Sequence, residues 1–429
     1  MRVAVIGGGV AGLAAAHALR DKAEVTLFEA GRHFGGHAHT VDVTLGGVTH
    51  GVDTGFLVFN RRTYPRLVEL LGELRVASAP SDMSFSVQVP DAAGRPGLEW
   101  SGSNLNTVFC QRRNLLRPRF WRMLRDLLRF NDLATLMAQA QADSLMRVSL
   151  QDFLDTHRFS REFRDWYLLP MLACIWSCPS AAMLRYPAGS VIRFCHNHGL
   201  LQVADRPQWY TVAGGSRAYV ARIVDGLADA RLGLAVRSIA RTDSGVMVFS
   251  RRGWEEFDRL VLATHSDQAL SLLSDASREE RAALGAVKYQ SNRAVLHTDT
   301  SVLPRDRRAW AAWNYQSGHS GSGRVCLHYL INRLQPLPWR QPVIVSLNPV
   351  QEIAARHVIG EYEYAHPVLD AAAVRAQKNL AAMQGQRDTW FCGAWTGYGF
   401  HEDGLASGQA AAAAILARQP VDAVLEAMQ

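Results

Sequence analysis

Three glycines near the start of the chain have the spacing of a loop that binds a dinucleotide. Gly7, Gly9 and Gly12 form the pattern G-x-G-x-x-G. In such a loop the first glycine permits a tight turn, the second lets backbone N–H groups approach a pyrophosphate, and the third lets a helix pack closely on a strand. Glu29 follows about 20 residues after the turn, where a carboxylate accepts hydrogen bonds from an adenosine ribose. The spacing therefore predicts a pyrophosphate and ribose site.

The elements around this loop are those that such a site needs. An apolar, β-branched run at 2–6 is predicted to be a strand, the alanine-rich stretch after it a helix, and 24–29 a second strand that ends in the acid. The N-terminus of the helix would direct partial positive charge at the phosphates. Ala11, at the helix start, and Ala30, directly after the acid, are expected to contact the same ligand. We therefore predict an α/β unit that binds a dinucleotide.

A second glycine pair favours a flavin over a nicotinamide cofactor. Gly35, Gly36 and His37 follow the first unit and resemble the doublet that flavoproteins of the amine oxidase and phytoene desaturase superfamily place against the flavin. A nicotinamide dehydrogenase has no need of such a pair. The segment 390–413 is similar to the closing motif of the same superfamily, in which a strand delivers a glycine to the pyrophosphate and ribityl region. The cofactor contacts that this motif implies are Gly393, Glu402, Asp403, Gly404 and Leu405.

The closing motif also predicts a helix that begins under the pyrimidine ring of the flavin. A helix N-terminus there would stabilise the negative charge that reduced flavin accumulates. FAD is expected to bind non-covalently, because Cys392 precedes the backbone contact at Gly393 and is expected to point into the core.

A third block of resemblance lies in the middle of the chain. The segment 209–220 resembles the glycine-containing stretch by which the superfamily's chain re-enters the cofactor domain, and a helix is predicted from there through Leu227. Val236 falls where the superfamily holds the adenine through its backbone. The strands predicted in this block are 232–239, 246–250 and 257–264.

The three blocks together imply the fold. We expect an α/β protein with a discontinuous, GR2-like Rossmann-type FAD-binding domain and an interleaved α+β substrate domain. The predicted boundaries are 1–75, 205–270 and 385–429 for the FAD-binding domain, and 76–204 and 271–384 for the substrate domain.

Four residues are candidates for catalysis at the flavin. Amine oxidases hold the substrate between aromatic rings, and one of those rings aligns with Phe400, counted back from Gly408. The hydroxyl of the superfamily's tyrosine is missing there, which suits an apolar C–H donor better than an amine, although aromatic cages also tolerate phenylalanine. His401 is the neighbouring candidate. The superfamily's flavin-proximal lysine would fall near Arg293, with Lys288 as the alternative, and both could equally be surface charges on a strand edge.

A closer resemblance extends over almost the whole chain. The segments 263–267, 310–315 and 399–404 look like those of a branch of bacterial flavoproteins encoded beside cyclopropane-fatty-acid synthases. This implies an FAD-dependent oxidoreductase that dehydrogenates a lipid acyl chain, such as a methyl-branched fatty acyl group, by hydride transfer to flavin N5. It also implies a lipid methyltransferase or cyclopropane synthase as partner. Two alternatives stay open: an amine or carotenoid-type substrate, and a non-catalytic flavoprotein that supports such a partner.

Composition bounds the other function classes. The chain has 429 residues and a net charge of +7, but its only lysines are Lys22, Lys288 and Lys378. The charge is thus nearly all arginine, and we expect no nucleic acid partner. The longest apolar run, 166–176, is shorter than the ~18 residues of a membrane span, and the first strand begins too early for a targeting segment. Six cysteines agree with a reducing compartment, so we expect a cytoplasmic protein.

One group of residues superficially offers metal ligands. Cys174, Cys178, His196 and His198 lie within 25 residues of each other, but the spacing lacks a paired C-x-x-C, so core cysteines and no metal are expected. The segment 194–201, which carries both histidines, is predicted to be a strand.

Two apolar segments leave alternatives open. The run 166–176 is expected to form either core or the wall of an apolar substrate tunnel. The segment 120–137 is predicted to be a helix with Arg122, Arg125 and Arg129 along one face. Packing on its own domain is the favoured role of this helix, and peripheral attachment to an anionic inner membrane face is the alternative.

Overall fold

The computed structural model describes residues 1–90, 97–141, 143–317 and 325–418, without the side chains of residues 143 and 180. The end of the predicted block 385–429 therefore lies outside the described residues. Strands β1 to β20 are, in chain order, Arg2–Ile6, Glu24–Glu29, Thr40–Leu45, Val48–Asp53, Phe59–Asn60, Ser78–Ser81, Phe85–Val89, Leu98–Ser101, Trp209–Val212, Asp229–Leu232, Val236–Thr242, Gly245–Ser250, Gly253–Phe257, Arg259–Leu262, Lys288–His297, Trp313–Gln316, Cys326–Leu330, Ile344–Leu347, Val358–Val368 and Thr389–Phe391.

The α-helices alternate with these strands. Helices α1 to α15 are, in chain order, Val10–Leu19, Pro65–Glu73, Leu105–Val108, Pro118–Gln139, Leu150–Thr156, Arg161–Phe163, Leu169–Trp176, Ser180–Met183, Ala188–Asn197, Arg217–Asp225, Ser266–Leu272, Arg278–Leu284, Ile331–Leu334, Ala371–Leu380 and His401–Ala417. Turns of 3-10 helix lie at Arg112–Leu116, Asp143–Arg147, Thr300–Val302, Arg307–Ala309, Ala355–His357, Gln386–Asp388 and Ala394–Thr396, and a π-helical turn at Arg164–Leu168.

A five-stranded parallel sheet has the strand order β10-β2-β1-β14-β20. Its central strand β1 is an apolar run in which Val3, Ala4 and Val5 are fully buried, as expected for a strand covered on both faces. Helix α1 packs on this strand and along α15. The two helices lie so close that a β-carbon on Gly408 of α15 would stand 2.1 Å from the Ala11 carbonyl oxygen of α1. The predicted Rossmann-type α/β unit is confirmed.

A seven-stranded mixed sheet has the order β19-β15-β18-β17-β16-β7-β8. Strands β15 and β19 pair in antiparallel register, with Tyr289 opposite Pro367 and Gln290 opposite His366. This pairing brings residues far apart in sequence to one end of the sheet. Smaller sheets are formed by β11-β12-β13, by β3-β4 and by β5-β9-β6.

Two predicted strands differ from the structure. The predicted strand 232–239 is divided between β10 and β11 at Gly233, which has a φ of +68°. The predicted strand 194–201 is wrong, because this segment continues α9, and His198 is the residue that ends that helix. Buried Val191, Ile192 and Cys195 recur at helical spacing, and Gly199 with φ +69° follows the helix end. His196 and His198 therefore lie on a helix and its cap.

The two apolar segments with open roles are both helical. Helix α4 confirms the helix predicted at 120–137, and its buried face carries Phe120, Met123 and Phe130. The run 166–176 forms the π-helical turn and α7. Among the described residues, no helix combines the length and the apolarity needed to cross a bilayer. The two-domain boundaries given above stay a prediction.

Candidate active site

A cavity of about 610 Å³ lies where the parallel sheet meets the mixed sheet. The carboxyl ends of the parallel strands contribute Ile6, Glu29, Ala263 and Gly393, and β19 of the other sheet contributes His366. Ligands of open α/β sheets bind outside the carboxyl ends of the strands. The cavity is thus in the place that this fold reserves for a ligand.

The glycine loop after β1 forms one wall of the cavity. Gly7 has a φ of +108°, and a β-carbon there would stand 2.8 Å from the Ala263 carbonyl oxygen. Gly9 has an ordinary φ of −71°, and a β-carbon on it would meet no protein atom within 4 Å. Neither the backbone nor the packing requires a glycine at position 9. A glycine is required at this position only if a ligand in the cavity approaches the backbone there.

Glu29 lies at the end of β2 and lines the same cavity. Its Oε2 accepts a hydrogen bond from the Gly8 N–H at 2.7 Å, and its Oε1 accepts one from the Gly31 N–H at 2.6 Å. These bonds hold the carboxylate against the glycine loop. The other predicted contacts at this end of the cavity, Ala11, Ala30 and Val236, also line it.

The second glycine pair contacts the first loop. The Gly35 N–H donates to the Gly8 carbonyl oxygen at 2.7 Å, and a β-carbon on Gly36 would stand 3.2 Å from the α-carbon of Gly9. Gly35 and Gly36 line the cavity, as does Gly393 after β20. The structure thus gathers the predicted glycine contacts from three distant segments at one site.

Five histidines line the cavity, and four of them lie near one another: His37, His265, His366 and His401. The rings of His37 and His366 are 5.1 Å apart between centroids. Burial and the neighbouring imidazoles lower the pKa of His37, and burial is the main cause that lowers the pKa of His366 to about 4. Burial lowers the pKa of His401 to about 3. These rings are therefore neutral at pH values near 7.

His37 differs from the other three because its Nε2 is buried without a hydrogen-bond partner. The His366 Nδ1 pairs with the Asn292 side-chain nitrogen at 2.9 Å, and the His401 Nε2 with the Tyr219 hydroxyl at 2.7 Å. His265 stacks on Tyr289 at 4.3 Å. An unpartnered buried nitrogen costs free energy unless a bound group satisfies it. His37 therefore marks a place where a ligand completes the site.

Aromatic side chains line the remaining part of the cavity. The Phe400 ring stacks on Phe194 with 4.7 Å between centroids and lies 6.0 Å from Trp176. His198 stacks on Phe194 at 3.9 Å. The end of α7 contributes Cys174, Ile175 and Ser177 to the lining. The apolar run 166–176 is accordingly core along most of its length and cavity wall at its end.

Two predicted catalytic residues lie outside the cavity lining. Arg293 forms an ion pair with Glu361 at 2.8 Å on the half-exposed surface of β15, and that pairing raises the pKa of the guanidinium. Lys288 is exposed and donates to the Gly285 carbonyl oxygen at 2.9 Å. Its neighbour Tyr289 lines the cavity instead, because successive side chains of a strand face opposite sides. Neither Arg293 nor Lys288 lines the cavity, so the structure does not place either of the two predicted cations beside the flavin.

The four residues predicted as cofactor contacts at the start of α15 make contacts within the protein. Glu402 accepts hydrogen bonds from the Arg66 and Leu67 N–H groups, at 2.8 and 3.1 Å, at the start of α2. Asp403 accepts one from the Phe400 N–H at 2.9 Å, and burial raises its pKa to about 6. Gly404 and Leu405 pack against the interior. None of these four lines the cavity.

Gly12 has the packing role that its spacing predicted. A β-carbon there would stand 1.8 Å from the Gly7 carbonyl oxygen, and the residue does not line the cavity. It permits α1 to begin directly against the turn that carries the other glycines.

Sequence reasoning missed several cavity residues, chiefly His198, His265, Tyr289 and His366. The sequence contained a signal for two of them, because His265 belongs to a segment on which the resemblance rests and His198 was considered as a metal ligand. The missing information was the pairing of β15 with β19 and the helical state of α9.

The cysteines are all free and buried. Burial raises the pKa of Cys174, Cys178 and Cys195, which keeps these thiols protonated. Cys392 is fully buried and does not line the cavity. Among the described residues there is no group of three or more histidine, cysteine or acidic side chains that could hold a metal ion.

The lining fits a dinucleotide cofactor such as FAD on two observations. The space beside Gly9 is open although nothing in the protein requires a glycine there, and His37 presents an unpartnered buried nitrogen. The residues that would hold FAD are Gly7, Gly9, Ala11, Glu29, Ala30, Gly35, Gly36, His37, Val236 and Gly393.

Comparisons with known proteins agree with this interpretation. In solved structures the chain is similar to a CLA-producing fatty acid isomerase from P. acnes, with 16% identity, a TM-score of 0.69 and coverage of 98% of this chain and 99% of that one. It is similar to a variant of putrescine oxidase, with 18% identity, a TM-score of 0.69 and coverage of 98% and 100%. It is also similar to cyclohexylamine oxidase from Brevibacterium oxydans, with 18% identity, a TM-score of 0.67 and coverage of 96% and 98%.

These structural likenesses show the fold, and a family model shows the family. A search of curated proteins gave no significant match. The model of flavin-containing amine oxidoreductases matches residues 10–331, which begin within the glycine loop and include Glu29, the second glycine pair and much of the mixed sheet. The chain therefore belongs to the flavin-containing amine oxidoreductase family and is an FAD-dependent oxidoreductase.

Proposed function

We propose that the protein dehydrogenates the acyl chain of a lipid, such as a methyl-branched fatty acyl group. One observation carries the proposal: among the described residues that line the cavity, Glu29 is the only aspartate, glutamate, lysine or arginine. It lies at the dinucleotide end, against the glycine loop. A charged substrate would lose its hydration in the aromatic part of the cavity without an ion-pair partner. A hydrocarbon chain has no hydrogen bonds to water to lose there, and burial of its apolar surface is favourable.

The cavity wall supports the same substrate class. The apolar surface of the wall comes from Ile175, Phe194, Leu200, Trp209 and Phe400. Such a wall excludes water from the C–H bond that reacts and positions that bond for hydride transfer. FAD supplies the acceptor for the hydride when it is bound. The dehydrogenation removes one hydrogen as hydride and a second, from the adjacent carbon, as a proton.

His198 is the residue that we assign to the proton. Its Nδ1 lies 3.0 Å from the Phe194 carbonyl oxygen, and because a carbonyl only accepts, this nitrogen carries the hydrogen. The Nε2 then keeps its lone pair. Burial lowers the pKa of the ring to about 4, so the ring is neutral near pH 7. A base this weak suffices because loss of hydride makes the neighbouring C–H strongly acidic.

Fold likeness is compatible with this substrate. One similar structure carries the name of a fatty acid isomerase, which indicates that this architecture can accommodate an acyl chain. A lipid methyltransferase or cyclopropane synthase as partner, and the two-domain division of the chain, are part of the same proposal. Amine oxidation is the second candidate, since aromatic faces attract ammonium groups and two similar structures are amine oxidases.

Product analysis with a matched pair of variants tests the proposal. The purified flavoprotein is incubated with bacterial phospholipids in detergent, and acyl chains that have lost two hydrogens are measured by mass spectrometry. We expect His198→Gln to retain FAD but to form product about 100-fold more slowly. His33→Gln, at an exposed histidine outside the cavity lining, should leave the rate unchanged. The absence of dehydrogenated acyl chains with wild type, or an unaffected His198→Gln, would overturn the assignment.

A further inference from the structure

A surface formed by residues 105–128 exposes more large apolar side chains than a helix packing role explains. Leu116 is 88% exposed, Leu105 78% and Trp121 49%. Single exposed apolar residues are ordinary, but a group of them on one surface marks an interaction site. Leu115 and Leu128 of the same segment are also exposed.

The geometry holds these side chains together. The Trp121 Nε1 donates to the Leu115 carbonyl oxygen at 2.9 Å, and the Trp121 ring lies 5.4 Å from that of Phe109. This bond ties the turn Arg112–Leu116 to α4. Trp121 and Leu128 are seven residues apart on the helix and therefore share a face.

The internal packing of α4 uses its other face. Phe120, Met123 and Phe130 are buried, and they account for the attachment of the helix to the protein. The helix is thus apolar on two faces, and the outer one, which carries Trp121 and Leu128, is half-exposed. The domain-packing role leaves the outer face unexplained.

The charge around the outer face is predominantly positive. Residues 105–128 contain six arginines and one acidic residue, the buried Asp126, which lies 3.6 Å from Arg125. Arg119 and Arg122 share a single carboxylate, that of Glu162, at 2.7 and 3.5 Å. Within the described part of the chain, the hydrogen bonds of Arg112, Arg113 and Arg117 go to uncharged acceptors.

We propose that the surface formed by residues 105–128 docks on an anionic lipid bilayer. Leucine and tryptophan side chains bury at the level of the headgroups, and arginines bind the anionic headgroups. The charge selects this occupant over a second copy of the chain, because two such surfaces would bring like charges together. The proposal goes beyond the acyl-chain reaction and does not require it.

Vesicle co-sedimentation of the flavoprotein tests the proposal. The vesicles are phosphatidylglycerol mixed with phosphatidylcholine, or phosphatidylcholine alone, at about 0.1 M and at about 0.5 M salt. We expect binding to the anionic vesicles at the lower salt, and little binding in the other conditions. Replacing Arg113, Arg122 and Arg125 by glutamine should weaken binding roughly 100-fold. Flavin absorbance should stay unchanged, because these residues do not line the cavity.

A tryptophan pair separates docking from a general loss of apolar surface. Trp121→Ser should weaken vesicle binding about tenfold or more. Trp254→Ser removes a residue that is 50% exposed and also rests on a neighbouring ring, that of Phe249, and it should have no effect. Wild-type protein that stays in the supernatant with anionic vesicles overturns the proposal. A molecular mass in solution that increases with protein concentration for wild type, and is lower for Trp121→Ser, also overturns it. That result would assign the surface to contact with a second copy of the chain. Neither result bears on the proposed dehydrogenation, because that reaction is measured separately with lipids in detergent.

Discussion

Gly9 and Glu29 carry the cofactor assignment because their surroundings inside the protein are already accounted for. The Gly9 backbone is in a region open to any residue, and only the cavity lies beyond its α-carbon. The Glu29 carboxylate is fixed by two backbone N–H groups and still faces the cavity. Both residues gain their reason from a bound dinucleotide.

Gly9→Val should yield protein that folds but loses its flavin. The added side chain meets no protein atom with its β-carbon, so the clash falls on the phosphates. We expect FAD binding weaker by about 1–3 kcal/mol, or roughly 10- to 100-fold, measured as flavin absorbance after dialysis. Gly72→Val is the matched control, because Gly72 also has open space around it but lies outside the cavity lining. Full flavin content in Gly9→Val would place the pyrophosphate elsewhere.

The spacing of the glycines identified this part of the site because it depends on short-range geometry. A turn, a helix start and a close approach are all defined within a dozen residues, and the structure brings Gly7, Gly9, Gly35 and Gly36 to the cavity. Glu402 and Asp403 could not be resolved in the same way. The sequence places them at a helix start, but only the position of α2 decides that Glu402 caps another helix.

Helices α1 and α15 hold the glycine loop and Phe400 in one arrangement. They pack along each other at a distance that only small residues permit, as the approach of Gly408 to Ala11 shows. Phe400 is the residue that precedes α15. A change in this contact would therefore move one wall of the cavity relative to another.

Gly408→Ala should destabilise the protein although alanine favours helices. The propensity gain is about 1 kcal/mol, but the new methyl group would stand 2.1 Å from a backbone carbonyl oxygen, which cannot move without separating the helices. We expect a net loss of about 1–3 kcal/mol in the free energy of unfolding, measured by urea denaturation. Gly72→Ala, in an exposed helical position with open space, should be neutral or stabilising. Equal effects of the two changes would refute the close contact.

Elements whose state depends on distant partners were the ones that sequence could not predict. The segment 194–201 combines β-compatible residues with two histidines, yet it continues α9 because Val191, Ile192 and Cys195 pack inward. The predicted cation at Arg293 or Lys288 depended on the register of β15 against β19, which no local pattern contains. Strands β1, β2 and β14 were predicted because each contains an apolar run of its own.

Buried neutral histidines should make the whole molecule sensitive to acid. Their pKa values are lowered by burial, so between about pH 6.5 and pH 4 the unfolded chain binds more protons than the folded one, and stability falls as pH falls. Three carboxyl groups act in the opposite sense but are fewer: burial raises the pKa of Asp53 and Asp403 to about 6 and also raises the pKa of Glu402. The histidines with pKa values of about 3 to 4 are His39, His198, His297, His328, His366 and His401.

We expect the free energy of unfolding to decrease by at least about 1 kcal/mol per pH unit between roughly pH 6.5 and pH 5. Urea denaturation at several pH values in one buffer system measures it, with an unchanged dependence on urea concentration as the control for two-state unfolding. A stability that is constant or increases toward pH 5 would show that these imidazoles are not buried neutral groups.

The central proposal is that FAD binds at one end of the cavity and that the apolar, aromatic part of the cavity, here called the chamber, holds an acyl chain for oxidation. Anaerobic titration of the purified yellow protein tests it most directly, with phospholipid acyl chains in detergent and, separately, with putrescine. We predict that the lipid bleaches the absorbance of oxidised flavin and that the amine leaves it unchanged, since the chamber lining offers no carboxylate beyond Glu29 within the described chain. Bleaching by the amine alone, or by neither compound, would contradict it.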